Sequence, residues 1–115
     1  MNKGQEMKET AQKKYAAISL QIGIKVQVLR EIEAFAEKHS LEKLVLFGSR
    51  ARGDFRERSD IDLAVYGGNF AQFSLDVDGE TWTLLKYDFV DMSQTNQPEL
   101  KASIEKEGVV LYEKV

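Results

Sequence analysis

The chain has 115 residues, 43% hydrophobic and 30% charged, with a formal net charge of −3, enough for one ordinary core but not for a second substrate domain. With no cysteine there is no disulfide framework, thiolate zinc site or thiol nucleophile, and the acidic balance argues against direct nucleic-acid binding. No apolar run resembles a secretion signal or reaches membrane-spanning length, so the expected setting is the cytoplasm, without a membrane partner.

Residues 1–24 are read as an N-terminal arm or short helix, and 25–115 as the functional domain. Ile18, Leu20 and Ile22 either pack on a partner or a second copy, or complete the domain's own core. From Lys25 to His39, Val26, Leu29, Ile32, Phe35 and Ala36 recur at helical spacing, which predicts an amphipathic helix closed near Ser40. Leu44 to Phe47 is a short apolar run ending at Gly48, the profile of a buried central strand. After a polar stretch containing Arg50, Arg52, Arg56 and Arg58, Asp60 to Tyr66 alternates, predicting a second strand that ends at Gly67-Gly68.

Residues 69–83 support two readings. Phe70, Phe73 and Val77 have helical spacing behind an Asn69 cap, whereas Asp78-Gly79 would suit a hairpin turn. Helix is the preferred reading. Leu84 to Val90 is expected to be a third strand. Pro98 opens a last helix, Gly108 closes it, and Val109 to Tyr112 is a final extended segment.

Three features carry chemistry. A glycine directly after a buried strand permits a sharp turn and close approach to a ligand. If Ser49 opens a helix, its hydroxyl and the free N–H groups of the first turn form a natural phosphate site. Asp60 and Asp62, two apart on a strand, project from one face. Like charges so placed gain nothing unless a cation sits between them, and Mg²⁺ takes one or two carboxylates plus substrate phosphates. Asp88, between Tyr87 and Phe89, is a costly carboxylate in an apolar strand unless it faces a site. It would complete a three-carboxylate cluster for two metal ions or act as general base. Asp91 is the competing candidate on the opposite face.

Gly48-Ser49, ten residues, then Asp60-Ile61-Asp62 resembles the signature of the nucleotidyltransferases related to DNA polymerase β. The wording Phe47-Gly-Ser-Arg-Ala-Arg-Gly-Asp54 and Ser59-Asp-Ile-Asp-Leu63 looks like the minimal nucleotidyltransferase branch. So does the tail, with Tyr87-Asp-Phe-Val-Asp91, Pro98-Glu-Leu100 and Gly108-Val-Val-Leu-Tyr112. The resemblance covers residues 25–115 and implies an α/β (α+β) fold, a small mixed β-sheet flanked by helices. It implies Gly48 and Ser49 on the triphosphate, and Asp60, Asp62 and Asp88 on Mg²⁺ (a two-ion site). Arg50 and Arg52 beside the phosphates would neutralise the leaving pyrophosphate. Arg56 and Arg58 are assigned to a partner or to solvent.

In that family setting the expected activity is transfer of AMP from ATP to a tyrosine hydroxyl of a small helical HEPN-domain toxin, with this chain as its antitoxin in a hetero- or homo-oligomer. Two other readings stay open: a non-catalytic nucleotide-binding antitoxin that acts by complex formation, and a small-molecule nucleotidyltransferase whose partner subunit supplies the acceptor pocket. His39 is read as a helix-terminal cation. Trp82 and Tyr87 are read as core residues rather than as platforms for a base.

Overall fold

The amphipathic spacing after Lys25 produces a helix whose Val28, Leu29, Ile32 and Ala36 are buried. It ends where Ser40 turns left-handed, at φ 57°. Leu41 N–H then reaches back to the Ala36 carbonyl at 3.0 Å, satisfying an end-of-helix acceptor. The computed structural model describes residues 15–115, so the first part of the predicted N-terminal arm lies outside the described residues.

In chain order the elements are α1 (residues 15–22), α2 (Val26–Lys38), β1 (Lys43–Phe47), α3 (Gly48–Arg52), β2 (Ile61–Tyr66), α4 (Phe70–Glu80), β3 (Tyr87–Asp91), α5 (Pro98–Glu107) and β4 (Val109–Glu113). The described strands form one sheet in the order β3-β2-β1-β4. β1 pairs antiparallel with both β2 and β4, and β2 pairs parallel with β3. The sheet is therefore mixed, as expected.

Alternation along the strands decides which face each side chain takes. Ile61, Leu63 and Val65 of β2 join Leu44 and Leu46 of β1 in the main core beneath α1, α2 and α4. Phe73 and Val77 of α4 seal it, and the Phe73 ring meets Phe89 edge-on at 6.1 Å. On the opposite face Val45 and Ala64 pack under Ile104 of α5. That helix lies mainly across β1 and against α3.

The segment 69–83 is a helix, not a hairpin. Asn69 Oδ1 accepts from Gln72 N–H at 3.2 Å, and Gly79 sits within the last turn. Residues 15–24 belong to the same core as the rest: Tyr15, Ile22 and Ile24 are fully buried, and Tyr15 Oη donates to the Leu111 carbonyl at 3.2 Å. Of the three apolar residues left open in that stretch, Ile22 is core, Ile18 packs at its margin and Leu20 points to solvent. The third strand begins at Tyr87 rather than Leu84. β2 begins only at Ile61, whose partner is Tyr87, so residues 84–86 have no strand beside them to extend the ladder.

Candidate active site

Because β1 runs antiparallel to β2, and β2 parallel to β3, the end of β1 and the starts of β2 and β3 meet at one end of the sheet. Gly48-Ser49, Asp60-Asp62 and Asp88 are brought together there by topology alone. Asp62 stands opposite Phe47 on one side and in register with Asp88 on the other. Equivalent positions in neighbouring strands share a face. Both carboxylates therefore lie on the α5 side of the sheet, with Ala64. Asp60 lies just before β2 and is exposed, as is Asp88; Asp62 is half-buried.

Gly48 opens α3 with φ at 77°, a conformation that glycine adopts without strain. A Cβ there would overlap the Asp62 carboxylate. The glycine thus allows the turn after β1 and the metal-ligand candidate to occupy adjacent space. Burial, then Asp88, then Asp60 push the Asp62 carboxyl from 3.8 up to about 6, with Arg52 and Arg50 opposing. Like charges are crowded here faster than the protein's own cations relieve them.

The two arginines after Ser49 part company. Arg52 stays at the surface, with Nε 3.3 Å from Asp54 and Nη1 3.5 Å from Glu107. The Asp54 hydrogen bond raises its pKa further. Arg50, expected beside the phosphates, is instead 1% exposed. Its guanidinium donates to the carbonyls of Ser59, Ile22, Gly23 and Glu57 at 2.9–3.2 Å and stacks on Phe55 at 4.9 Å. Its donors are committed to backbone, so it joins the α1–α2 turn, α3 and the approach to Asp60 into one block. Burial lowers its pKa, opposed by the fields of Asp60 and Asp62.

Gly23 has the same logic as Gly48. Its φ is 68°, and a side chain there would strike Phe55 and the Arg50 guanidinium. A lone glycine just after α1 is a weak sequence signal, and its partners Arg50 and Phe55 lie far along the chain. Asp91 caps its own turn, Oδ1 accepting from the Ser93 N–H at 3.0 Å and hydroxyl at 2.7 Å, and takes no part in the cluster. His39 Nε2 lies 2.6 Å from Asp76, at the other end of the domain's helical layer. Tyr87 packs inward, its phenol 2.7 Å from the Thr81 hydroxyl and pushed up to about 12 by burial. Trp82, by contrast, is 76% exposed and is not a core residue.

Among the described residues no three acidic or histidine side chains are gathered tightly enough to cage a metal by themselves. The donor set nevertheless suits Mg²⁺, which is held by one or two carboxylates and completed by water and phosphate oxygens. Burial first, and then Asp88 and Asp60, hold the Asp62 carboxyl up.

Residues 30–115 match the family described as Polymerase beta, Nucleotidyltransferase. Over 81 residues the chain is 37% identical to a protein of Methanocaldococcus jannaschii that carries the provisional name protein adenylyltransferase, covering 63% of this chain and 79% of that one. Its fold is similar to that in a crystal structure of a toxin–antitoxin with AMP-PNP, at TM-score 0.58 and 21% identity over 75% of this chain and 73% of that one. It is similar also to a double Asp→Glu mutant of the toxin–antitoxin MntA–HpeT, at TM-score 0.57 and 19% identity over the same shares. The carboxylates at the sheet's end thus sit in a chain that belongs to the polymerase β nucleotidyltransferase family and is a nucleotidyltransferase.

Proposed function

We propose that this chain transfers AMP from ATP, with Mg²⁺, to a hydroxyl of a protein partner, and that it acts as the antitoxin of a helical HEPN-type toxin whose tyrosine is the acceptor. The observation that carries the transfer is the crowding of Asp60, Asp62 and Asp88 at one end of the sheet, with the Asp62 carboxyl held up at about 6. The partner reading is supported by the resemblance to a protein named for adenylylation and by neighbours solved as toxin–antitoxin assemblies.

In this reading the backbone N–H groups and hydroxyl of the Gly48-Ser49 turn hold the phosphates. Arg52 exchanges its exposed carboxylate partners for the leaving pyrophosphate, while Arg50 acts from behind as a positioning residue. Asp60 and Asp62 would hold one or two Mg²⁺ ions, which when bound neutralise the cluster and polarise the phosphoryl oxygens. Asp88 takes the proton of the acceptor hydroxyl. The acceptor oxygen bonds to the α-phosphorus as the bond to the bridging oxygen breaks, and pyrophosphate departs with those electrons.

The test incubates purified protein with Mg²⁺, α-labelled ATP and the helical protein encoded in the adjacent reading frame. We expect one or more AMP masses on a tyrosine of that protein, and loss of its ribonuclease activity. Asp60→Asn with Asp62→Asn should abolish both. No added mass alongside an active nuclease refutes the reading, and neutralisation that survives the double substitution assigns the function to nucleotide-bound complex formation instead.

A further inference from the structure

From Thr81 to Asp88 exposure alternates. Trp82, Leu84, Lys86 and Asp88 turn outward, and Thr81, Thr83, Leu85 and Tyr87 turn toward the body of the domain. Trp82 is 76% exposed and Leu84 wholly so. The backbone beneath them is pinned: Trp82 N–H donates to Glu31 Oε1 at 3.0 Å, Leu85 N–H to the Thr83 hydroxyl at 3.1 Å, and Thr81 bonds Tyr87. Two large apolar side chains are therefore held in water by an ordered segment, an arrangement that suits a binding surface better than a core.

This surface is continuous with the chemistry. Leu84 and Leu85 border a cleft of about 600 Å³ shared with Asp60, Arg58 and Lys86. They also border one of about 680 Å³ that reaches Trp82 and Val28. The direction of attack then decides which reactant uses it. β2 lies between β1 and β3, so the phosphate-holding turn after β1 and Asp88 on β3 flank Asp62 from opposite sides. In an in-line displacement the attacking oxygen enters opposite the leaving group. With the roles proposed above, pyrophosphate would leave on the β1 side and the acceptor would enter on the β3 side, where the outward face of residues 82–86 leads to Asp88.

We propose that Trp82, Leu84, Lys86 and Arg58 form the docking surface for the acceptor polypeptide, selecting a segment in which an apolar side chain and acidic residues flank the acceptor hydroxyl. The apolar side chain meets Trp82 and Leu84, and the acidic flank meets Lys86 and Arg58, exposed cations in a chain of net charge −3. This rests on the protein-acceptor reading above and adds to it the chemistry of the partner.

The test uses the whole chain and two synthetic peptides with one tyrosine each, one flanked by leucine and aspartate, the other by serine and lysine. Trp82, the single tryptophan, reports binding by its emission, and α-labelled ATP reports transfer. The acidic, apolar peptide should shift the emission and bind at least ten-fold more tightly than the other. Leu84→Ser, at a solvent-exposed position, should weaken it about ten-fold at unchanged melting temperature, and Lys86→Glu should reverse the preference. Equal binding of both peptides, no emission change with either, or indifference to both substitutions overturns the proposal. An emission change with Mg-ATP alone would assign the face to the nucleoside, and a dimer dispersed by Leu84→Ser would assign it to a second copy; either overturns it. Peptide binding without label transfer keeps the surface and refutes the acceptor chemistry, whereas transfer that ignores both substitutions does the reverse.

Discussion

Replacing Asp62 by Asn should destroy transfer and, in the absence of metal, make the protein more stable. The Asp62 carboxyl is raised from 3.8 to about 6 by burial and by Asp88 and Asp60. The folded state therefore holds this proton more tightly than the unfolded state. Wild-type stability falls as pH rises from about 3.8 to about 6, and the full penalty is present above that window. At 1.36 kcal/mol per decade of affinity the ceiling is about 3 kcal/mol. Water reaches the half-buried side chain and screens it, which brings the expectation to about 1–2 kcal/mol. For a domain of this size that is on the order of 5 °C in melting temperature. Asn keeps the shape and removes the charge. Thermal and urea unfolding of both proteins in EDTA, at pH 8 and at pH 4, measure the difference. The gain should be present at pH 8 and nearly gone at pH 4, where the wild-type carboxyl is protonated in the folded state. An Asn variant no more stable than wild type at pH 8, or one whose advantage persists undiminished at pH 4, would refute the reasoning.

Gly48→Ala meets both a left-handed φ of 77° and the Asp62 carboxylate, so it should cost about 1–3 kcal/mol and reduce transfer far more than urea resistance suggests, measured as kcat against the unfolding midpoint. Arg50→Met leaves four carbonyls without their donor and should destabilise by about 3 kcal/mol in urea unfolding; kcat should fall more than the affinity for Mg-ATP, since Asp60 is loosened and no phosphate ligand is lost. Phe73→Ala removes a fully buried ring and its edge contact with Phe89, with an expected loss of about 3–5 kcal/mol. Its kcat/KM at 25 °C should be unchanged in whatever fraction remains folded, as assayed after a urea titration.

Local patterns were legible where a single element decides them. The burial of Val28, Leu29, Ile32 and Ala36 follows from the 3.6-residue spacing that begins at Val26, and the Pro98 and Gly108 boundaries follow from backbone chemistry. The Asp60–Asp62 spacing and the wording around it marked where carboxylates gather at the end of the sheet, although Asp60 lies just before β2 rather than on the strand. What escaped was set by distant partners. Arg50 and Arg52 look alike in Gly48-Ser-Arg-Ala-Arg52, yet one is buried and the other exposed. The difference is made by the carbonyls of Ile22, Gly23, Glu57 and Ser59 and by the Phe55 ring, which surround Arg50 only after the chain has folded. Trp82 reads as core by composition, but Phe73, Val77 and Leu85 already occupy that side of the sheet, and the start of β2 at Ile61 leaves residues 82–86 without a ladder to join.

The arginine socket and the crowded carboxylates are two halves of one electrostatic arrangement. A guanidinium taken out of water is unfavourable, and so is a carboxylate held beside two others. Here each lies in the other's field: Asp60 and Asp62 favour the charged form of Arg50, and Arg50 favours the charged form of Asp62. Arg50 spends its hydrogen bonds on backbone and so approaches the cluster from behind, leaving the front free. Its field offsets only part of what burial, Asp88 and Asp60 do to Asp62, whose carboxyl is still raised to about 6. In the proposed reaction the missing positive charge would arrive with the metal-bound nucleotide and leave with the product.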